Sequence, residues 1–470
     1  GVKAMCNPMQ RNMEEELRVG CAKVDITPQK PMELAGFAHR SGHFQAVRHP
    51  LHLRTIWMEQ GNGHGKIIRS ILISADLLFW GNALANQMKE KISKQWEVDQ
   101  DAILLHATHN HSGPQTSDEF CSSLGTPDEE YLMYLEEQLE FSVAMARENL
   151  EPVTLSRHTG QCHIGINRRK IVNGKAEMAP NPSGSVDPEL SLLRFDDAEG
   201  QIKALVVHYA CHPTTSGENV VTSEYCGVAM DMIEERLHFA PASIAVFLQG
   251  FCANVRPKLL KDHEFYRGGL EEVEDLATKL ADEAVALLKR KVEPVKQARL
   301  SIKRQSLPLN LQEMPTIDYL QELVEAQDAD PPEASIADEK MVSDPKLKSL
   351  EADDRTLREW AQFLLSRPDR LHKVPSLDMT LLELADDCKL LTMNAEMSVE
   401  YGIMIKSAYP GQILPVSCTN GIIGYVSTDS QLLEGGYEAL DFIYYFGLPA
   451  PYATGTEEAI RKQIDNLLSS

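Results

Sequence analysis

Two apolar runs in this chain end the same way. AILLHA (residues 102–107) runs into THNHSGP, and IKALVVHYA (202–210) runs into CHPTTSG. A short apolar run closed by Gly, Pro and Ser reads as a buried strand leading into a turn, so each of these strands delivers histidine to its end. Further strand candidates are IIRSILISADLL (67–78), LSLLRF (190–195) and SIAVFLQG (243–250). Helix signals alternate with them. Thr126, Pro127 and Glu129 form a capping-box start, after which Leu132, Leu135, Leu139, Val143 and Ala146 share one helical face. A second helix is expected from about Leu270 to Lys289, with Val273, Leu276, Leu280, Ala284 and Leu287 on its buried side. The alternation specifies an α/β fold. LSLLRF and IKALVVHYA are separated only by DDAEGQ, a hairpin turn, so the expected sheets are mixed and covered by helices.

The 470 residues, 43% of them hydrophobic, suffice for one large core. Residues 312–374 change character, becoming rich in Asp, Glu, Lys and Pro around short amphipathic pieces such as LREWAQFLL. They read as a charged helical excursion from a domain spanning 18–470, with 1–17 as an N-terminal extension. After Lys389 strand-like segments return, which closes the chain back on the first part.

A formal charge of -23 argues against nucleic acid and anionic membranes as partners, since phosphate recognition needs a basic surface. The beginning of the chain has no apolar signal region, and no uninterrupted apolar run reaches the roughly 18 residues of a membrane span. A cytoplasmic location is expected. The nine cysteines follow no zinc-finger spacing and cannot all pair. Cys211, Cys226, Cys252 and Cys418 lie in apolar surroundings and read as buried thiols in a reducing compartment. Oligomeric state is not legible.

His109 and His111 stand two residues apart, so on an extended backbone they point the same way. Two imidazoles can then serve one metal, or one can bind it while the other handles protons. His106 reads as a packed histidine. His212, beyond His208 and past the end of its strand, sits where sites are built.

In this order VGCAKVDITP with Gly36, ATHNHSGP, INRR (166–169), VVHYACHPTTSG, and GYVST followed by GGYEA resemble the neutral ceramidase family, over most of residues 18–450. The resemblance implies a zinc amidase whose Zn2+ is held by two histidines, a glutamate and a tyrosine. Carried over, these are His109, His212, Glu396 of MNAEMS (with Glu400 as fallback) and Tyr425. It also implies Tyr437 near the site, His111 as the proton-handling or oxygen-binding group, and Arg168 of INRR as a contact to polar substrate atoms. Two neutral imidazoles and a carboxylate form a common catalytic zinc set.

The chain departs from the family at one decisive place. A Gly-Asp-Val-Ser-Pro segment supplies the family's serine at the scissile amide, and here Asn254 and Arg256 stand in place of its aspartate and serine. Arginine carries donors only and cannot be a nucleophile, so a metal-activated water is the expected attacking group. Arg256, Asn254 and Arg168 become candidate substrate contacts. Two arginines beside a metal favour a small molecule or glycan bearing an anionic group over ceramide itself. Three functions follow from this reading: a zinc-dependent hydrolase of an amide, ester or related bond in an acidic polar substrate, a metal-assisted uronate lyase, or a ligand-binding homologue without catalysis.

Overall fold

The computed structural model describes residues 15–326 and 352–469. Its first sheet consists of β1 (Arg18–Asp25), β2 (His52–Gly61), β3 (Ile67–Ala75), β4 (Ile103–Ala107) and the short β5 (Glu151–Pro152), in the spatial order β4-β3-β2-β1-β5. The second consists of β6 (Thr154–Gln161), β7 (Glu189–Asp196), β8 (Ile202–Tyr209), β9 (Ile244–Gln249) and β10 (Glu293–Pro294), ordered β9-β8-β7-β6-β10. The β3–β4 and β8–β9 pairs are parallel and the others antiparallel. The fold is therefore mixed α/β, as the DDAEGQ hairpin between β7 and β8 requires.

The two sheets pack face to face. Val19, Ile56, Leu72 and Leu104 of the first meet Leu193, Val206, Val246 and Leu248 of the second. Helices cover the outer faces. On one side α1 (Asn82–Trp96) and α2 (Glu129–Glu148) lay Met88, Ile92, Leu135, Leu139 and Val143 against Trp57, Ile71 and Ile73. On the other, α3 (Glu224–Arg236) and α4 (Leu270–Leu288) lay Met230, Ile233, Val273, Leu276 and Leu280 against Leu190, Leu192 and Leu205. Burial on both faces is why these strands read as continuous apolar runs and not as alternating ones.

The start of α2 differs from the expected capping box. Asp128 caps it by accepting from the Tyr131 amide, and the Thr126 hydroxyl turns to Glu33. An aspartate immediately ahead of the helix satisfies its free amides directly, so the earlier threonine is not needed. Tyr131 and Ser142 join the buried face, while Leu132 is only half-buried.

A third sheet, β11 (Ala298–Pro308), β12 (Ser376–Ala385), β13 (Cys388–Met393) and β14 (Ile413–Val416), closes the structure against both others. The charged stretch 312–374 leaves β11 and returns into its antiparallel neighbour β12, so it is an insertion in a hairpin. Its described parts include α5 (Ile317–Glu325) and α6 (Asp354–Ser366); residues 327–351 lie outside the described residues, as do 1–14. Leu320, Trp360, Ala361 and Leu364 pack into one cluster with Leu377, Met379 and Phe446. We propose that the insertion folds with the domain that carries it. Trp360 is the anchor, buried and donating its indole N–H to the Leu448 carbonyl at 2.8 Å. Trp360→Ala is expected to cost about 3–5 kcal/mol of global stability, in one cooperative transition measurable by urea unfolding. Among the described residues no helix is long and apolar enough to cross a membrane.

Candidate metal centre

The strands β4 and β8 belong to different sheets, yet their ends meet. Gln249, the last residue of β9, makes the connection with one side-chain amide. Its Nε2 donates to the Thr108 carbonyl at 3.1 Å and its Oε1 accepts from the Cys211 amide at 3.1 Å. Thr108 precedes His109 and Cys211 precedes His212, so the amide sets the spacing of the two histidine turns. Its backbone N–H donates to His106 Nε2 at 3.0 Å. His106 is fully buried, and burial pushes its imidazole down to about 3, leaving a neutral packing residue.

His109 and His111 do converge, but not along an extended strand. β4 ends at Ala107 and His109 has a left-handed backbone, φ 73°. The turn is held by the His109 and Asn110 amides, which donate to the Leu77 carbonyl at 3.1 and 3.0 Å, and it brings the two Nε2 atoms within 3.3 Å. Strand alternation was the wrong reason for the right neighbourhood.

Each of three imidazoles is oriented by a backbone carbonyl at Nδ1. His109 faces Leu78 O at 3.3 Å, His111 faces Gly36 O at 3.2 Å, and His212 faces Cys252 O at 2.7 Å and Val255 O at 3.1 Å. A carbonyl only accepts, so Nδ1 carries the hydrogen and Nε2 presents its lone pair inward. These atoms lie within 4.8 Å of one another, all from buried residues. Glu396 Oε1 enters the same space, 2.7 Å from His109 Nε2 and 3.0 Å from His212 Nε2. Glu396 Oε2 is buried without a hydrogen-bond partner. Four electron-pair donors aimed at one small volume repel one another unless a cation lies among them, and this donor set fits a divalent metal.

With no metal among the donors, a proton on His109 Nε2 relieves the repulsion against Glu396. Burial opposes charge on His109, but the Glu396 carboxylate prevails and raises its pKa. Burial likewise opposes charge on Glu396, and the same histidine holds its carboxyl well below the usual range. His212 is pushed down to about 4 by burial and by Arg168. His111 falls well below its ordinary value through burial and the neighbouring His109 and His212.

Tyr425 completes one side. Its hydroxyl is 3.4 Å from His212 Nε2 and 3.2 Å from Arg168 Nη2, and burial raises the phenol well above its ordinary value. Tyr437 packs edge-on against it at 5.2 Å between ring centroids. The strand pair Glu396–Met397 and Tyr425–Val426, aligned in parallel with Glu396 opposite Tyr425, places the carboxylate and the phenol together. Glu400, the fallback, is elsewhere: its carboxylate accepts from Asn254 Nδ2 at 3.2 and 3.1 Å and from Gln431 Nε2 at 3.0 Å.

Asn254 was expected to touch substrate, but its amide is committed to Glu400 and, through Oδ1, to the Val399 amide at 2.9 Å. It ties the strand after β9 to the helix that follows Glu396. Arg168 was expected to present an open positive charge. It is buried, with Nε donating to Glu438 Oε1 at 2.8 Å, so a carboxylate already matches it. Arg256 is also buried, its guanidinium 4.1 Å over the ring of Phe265. Of the two arginines invoked for an anionic substrate, Arg168 is thus paired with a carboxylate, and Arg256 has a partner within the protein besides Phe265.

Residues 17–263 match the family of neutral/alkaline non-lysosomal ceramidases, N-terminal domain, which is more than half of the chain. The chain belongs to the neutral/alkaline non-lysosomal ceramidase family. Neutral ceramidase from Pseudomonas aeruginosa is 22% identical over 252 residues, an alignment covering 52% of this chain and 37% of that protein. The solved structure of the Pseudomonas aeruginosa enzyme superposes with a TM-score of 0.70 at 16% identity, covering 97% of this chain and 74% of that one. A ceramidase complexed with C2 gives 0.71 at 16% identity, over 97% and 75%. The ceramidase fold thus extends through the half of the chain beyond the family match.

Gln249, Glu438 and Gly36 are site residues whose positions carried weak signals. Gln249 is the polar end of an otherwise apolar run, and Glu438 sits inside GGYEA directly after Tyr437. Gly36 has φ 104°, and a Cβ there would lie 2.4 Å from His111 Nδ1. Gly36→Ala is expected to displace His111 and lower turnover by about 100-fold or more, since misplacing a reacting group by about 1 Å has that scale. Metal content by mass spectrometry should be retained, because the three atoms nearest the added Cβ all belong to His111.

Proposed function

We propose that this protein is a zinc-dependent hydrolase of an amide, ester or related bond in a small polar substrate bearing an acidic group. The observation that carries the reading is the convergence of His109, His212 and Glu396, each imidazole oriented by a carbonyl behind it. These three residues would hold Zn2+, with the Tyr425 hydroxyl, 3.4 Å from His212 Nε2, as the fourth group beside it. Bound there, the metal would supply Lewis acidity to a scissile carbonyl and to water.

The chain's own groups have separable tasks. His111, oriented by the Gly36 carbonyl with its Nε2 3.3 Å from His109 Nε2, would take a proton from attacking water and return it to the leaving nitrogen or oxygen. Tyr425, kept protonated, donates to the oxygen on which negative charge develops. Tyr437 backs that phenol and limits its swing. Arg256 would meet the acidic group of the substrate. The carbonyl before it, that of Val255, supports His212, so its side chain leaves the backbone one residue from a metal-ligand support.

The test is metal analysis of the purified protein followed by a panel of N-acyl amino acids and uronate oligosaccharides read by mass spectrometry. Hydrolysis that stops on chelation and returns with zinc is expected. An unsaturated uronate absorbing in the ultraviolet would replace hydrolysis by elimination, and a protein that neither binds zinc nor turns over any substrate would overturn the reading.

A further inference from the structure

We infer that Glu438 is a positioning residue for Tyr425, acting through Arg168; this rests on the metal reading of the site. One buried carboxylate joins the two arginines of INRR. Glu438 Oε1 accepts from Arg168 Nε at 2.8 Å, and Oε2 accepts from Arg169 Nη1 at 3.0 Å. All three residues are almost wholly enclosed, with 2–4% of their surface exposed.

The backbone that carries the carboxylate is held by its surroundings. The Glu438 carbonyl accepts from Ser427 Oγ at 2.9 Å, two residues after Tyr425 in sequence. Gly436, at φ 90°, turns the chain into the site, and a Cβ there would lie 3.0 Å from Arg169 Nη1. The following turn, Tyr437–Asp441, is a π-helix, a geometry found mostly where function requires it. Arg169 is held further by the Gln431 carbonyl at 3.3 Å and by Glu434 at 3.5 Å.

The consequence passes along one line of contacts. Glu438 fixes Arg168 Nε, Arg168 Nη2 donates to the Tyr425 hydroxyl at 3.2 Å, and that hydroxyl stands 3.4 Å from His212 Nε2. Neutralised by Glu438, Arg168 serves as a holder of the phenol and not as an anchor for a substrate anion. Without the carboxylate two buried guanidiniums face each other, and Arg168 must move off the phenol to reduce the repulsion.

The experiment measures zinc affinity by competition with a chromophoric chelator for the wild type, Glu438→Gln, Glu438→Asp and Glu434→Gln. Loss of groups that orient a metal site lowers affinity or activity by about 10–100-fold. That loss of affinity is expected for both substitutions at Glu438, since glutamine removes the charge and aspartate is too short to join both arginines. Glu434→Gln, which faces Arg169 only, should stay within about threefold of wild type. Should Glu438→Gln fail to fold, Arg168→Lys tests the same link, because it keeps a charge opposite Glu438 but loses the fork to Tyr425. Wild-type affinity in Glu438→Asp or in Arg168→Lys overturns the inference. A wild-type protein that binds no zinc refutes the metal reading instead.

Discussion

His109→Ala and His212→Ala are each expected to weaken zinc binding by about 100–1,000-fold. Structural zinc sites bind with about 10–16 kcal/mol, and an even share over four ligands is about 2.5–4 kcal/mol each. Both variants should stay folded, because the turns that carry these residues hang from strands whose side chains are locked into the hydrophobic core on both faces. His111→Ala provides the contrast. As a proton carrier it should lose turnover while retaining most of the zinc affinity, whereas a third histidine ligand would lose both. The pH dependence adds a second check. Glu396 raises the His109 pKa, so a proton competes with the metal for that nitrogen. Below the raised pKa, zinc affinity should climb with pH, by up to about tenfold per unit, with close to one proton released on binding. In His109→Ala that slope should flatten. Isothermal titration in buffers of different ionisation enthalpy reads affinity and proton release together; full metal occupancy in both alanine variants would remove these histidines from the site.

How much of this site was legible follows from what the sequence encodes locally. The strand ends were readable because burial on both faces makes β4, β8 and β9 continuous apolar runs, and a histidine just beyond such a run has little else to do. The α/β class followed from the same runs and from two helical faces. What failed was geometry that depends on partners distant in sequence. The convergence of His109 and His111 comes from a left-handed turn pinned by Leu77, which no local spacing encodes. Arg168 looked like an open charge because Glu438 is 270 residues away, and Asn254 looked like a substrate contact because Glu400 is 146 away. Polar side chains choose partners across the fold, whereas apolar periodicity is settled within one element.

The acidic-substrate reading now stands on Arg256, and it makes a sharp demand of Arg256→Lys. Lysine keeps the charge but loses the planar fork that grips a carboxylate through two hydrogen bonds. Charge-assisted hydrogen bonds contribute about 1.5–3 kcal/mol, so KM for an acidic N-acyl amino acid should rise about 10–100-fold with zinc content unchanged. A neutral N-acyl amine should be affected far less. Arg256→Ser goes further, removing the charge and placing a hydroxyl at the position that the sequence resemblance aligns with the family's serine. Turnover of acidic substrates should fall, and slow cleavage of neutral amides should emerge. The competing role for Arg256 is structural, since its guanidinium lies over Phe265, an arrangement that contributes about 0.5–2 kcal/mol, and has a further partner within the protein. The two roles separate in the data. If Arg256 only packs, Arg256→Lys lowers the unfolding free energy and leaves the ratio of KM values for acidic and neutral substrates where it was. Equal kinetics for both substrates in Arg256→Ser and wild type would end the anchor assignment, and with it the case for an acidic substrate.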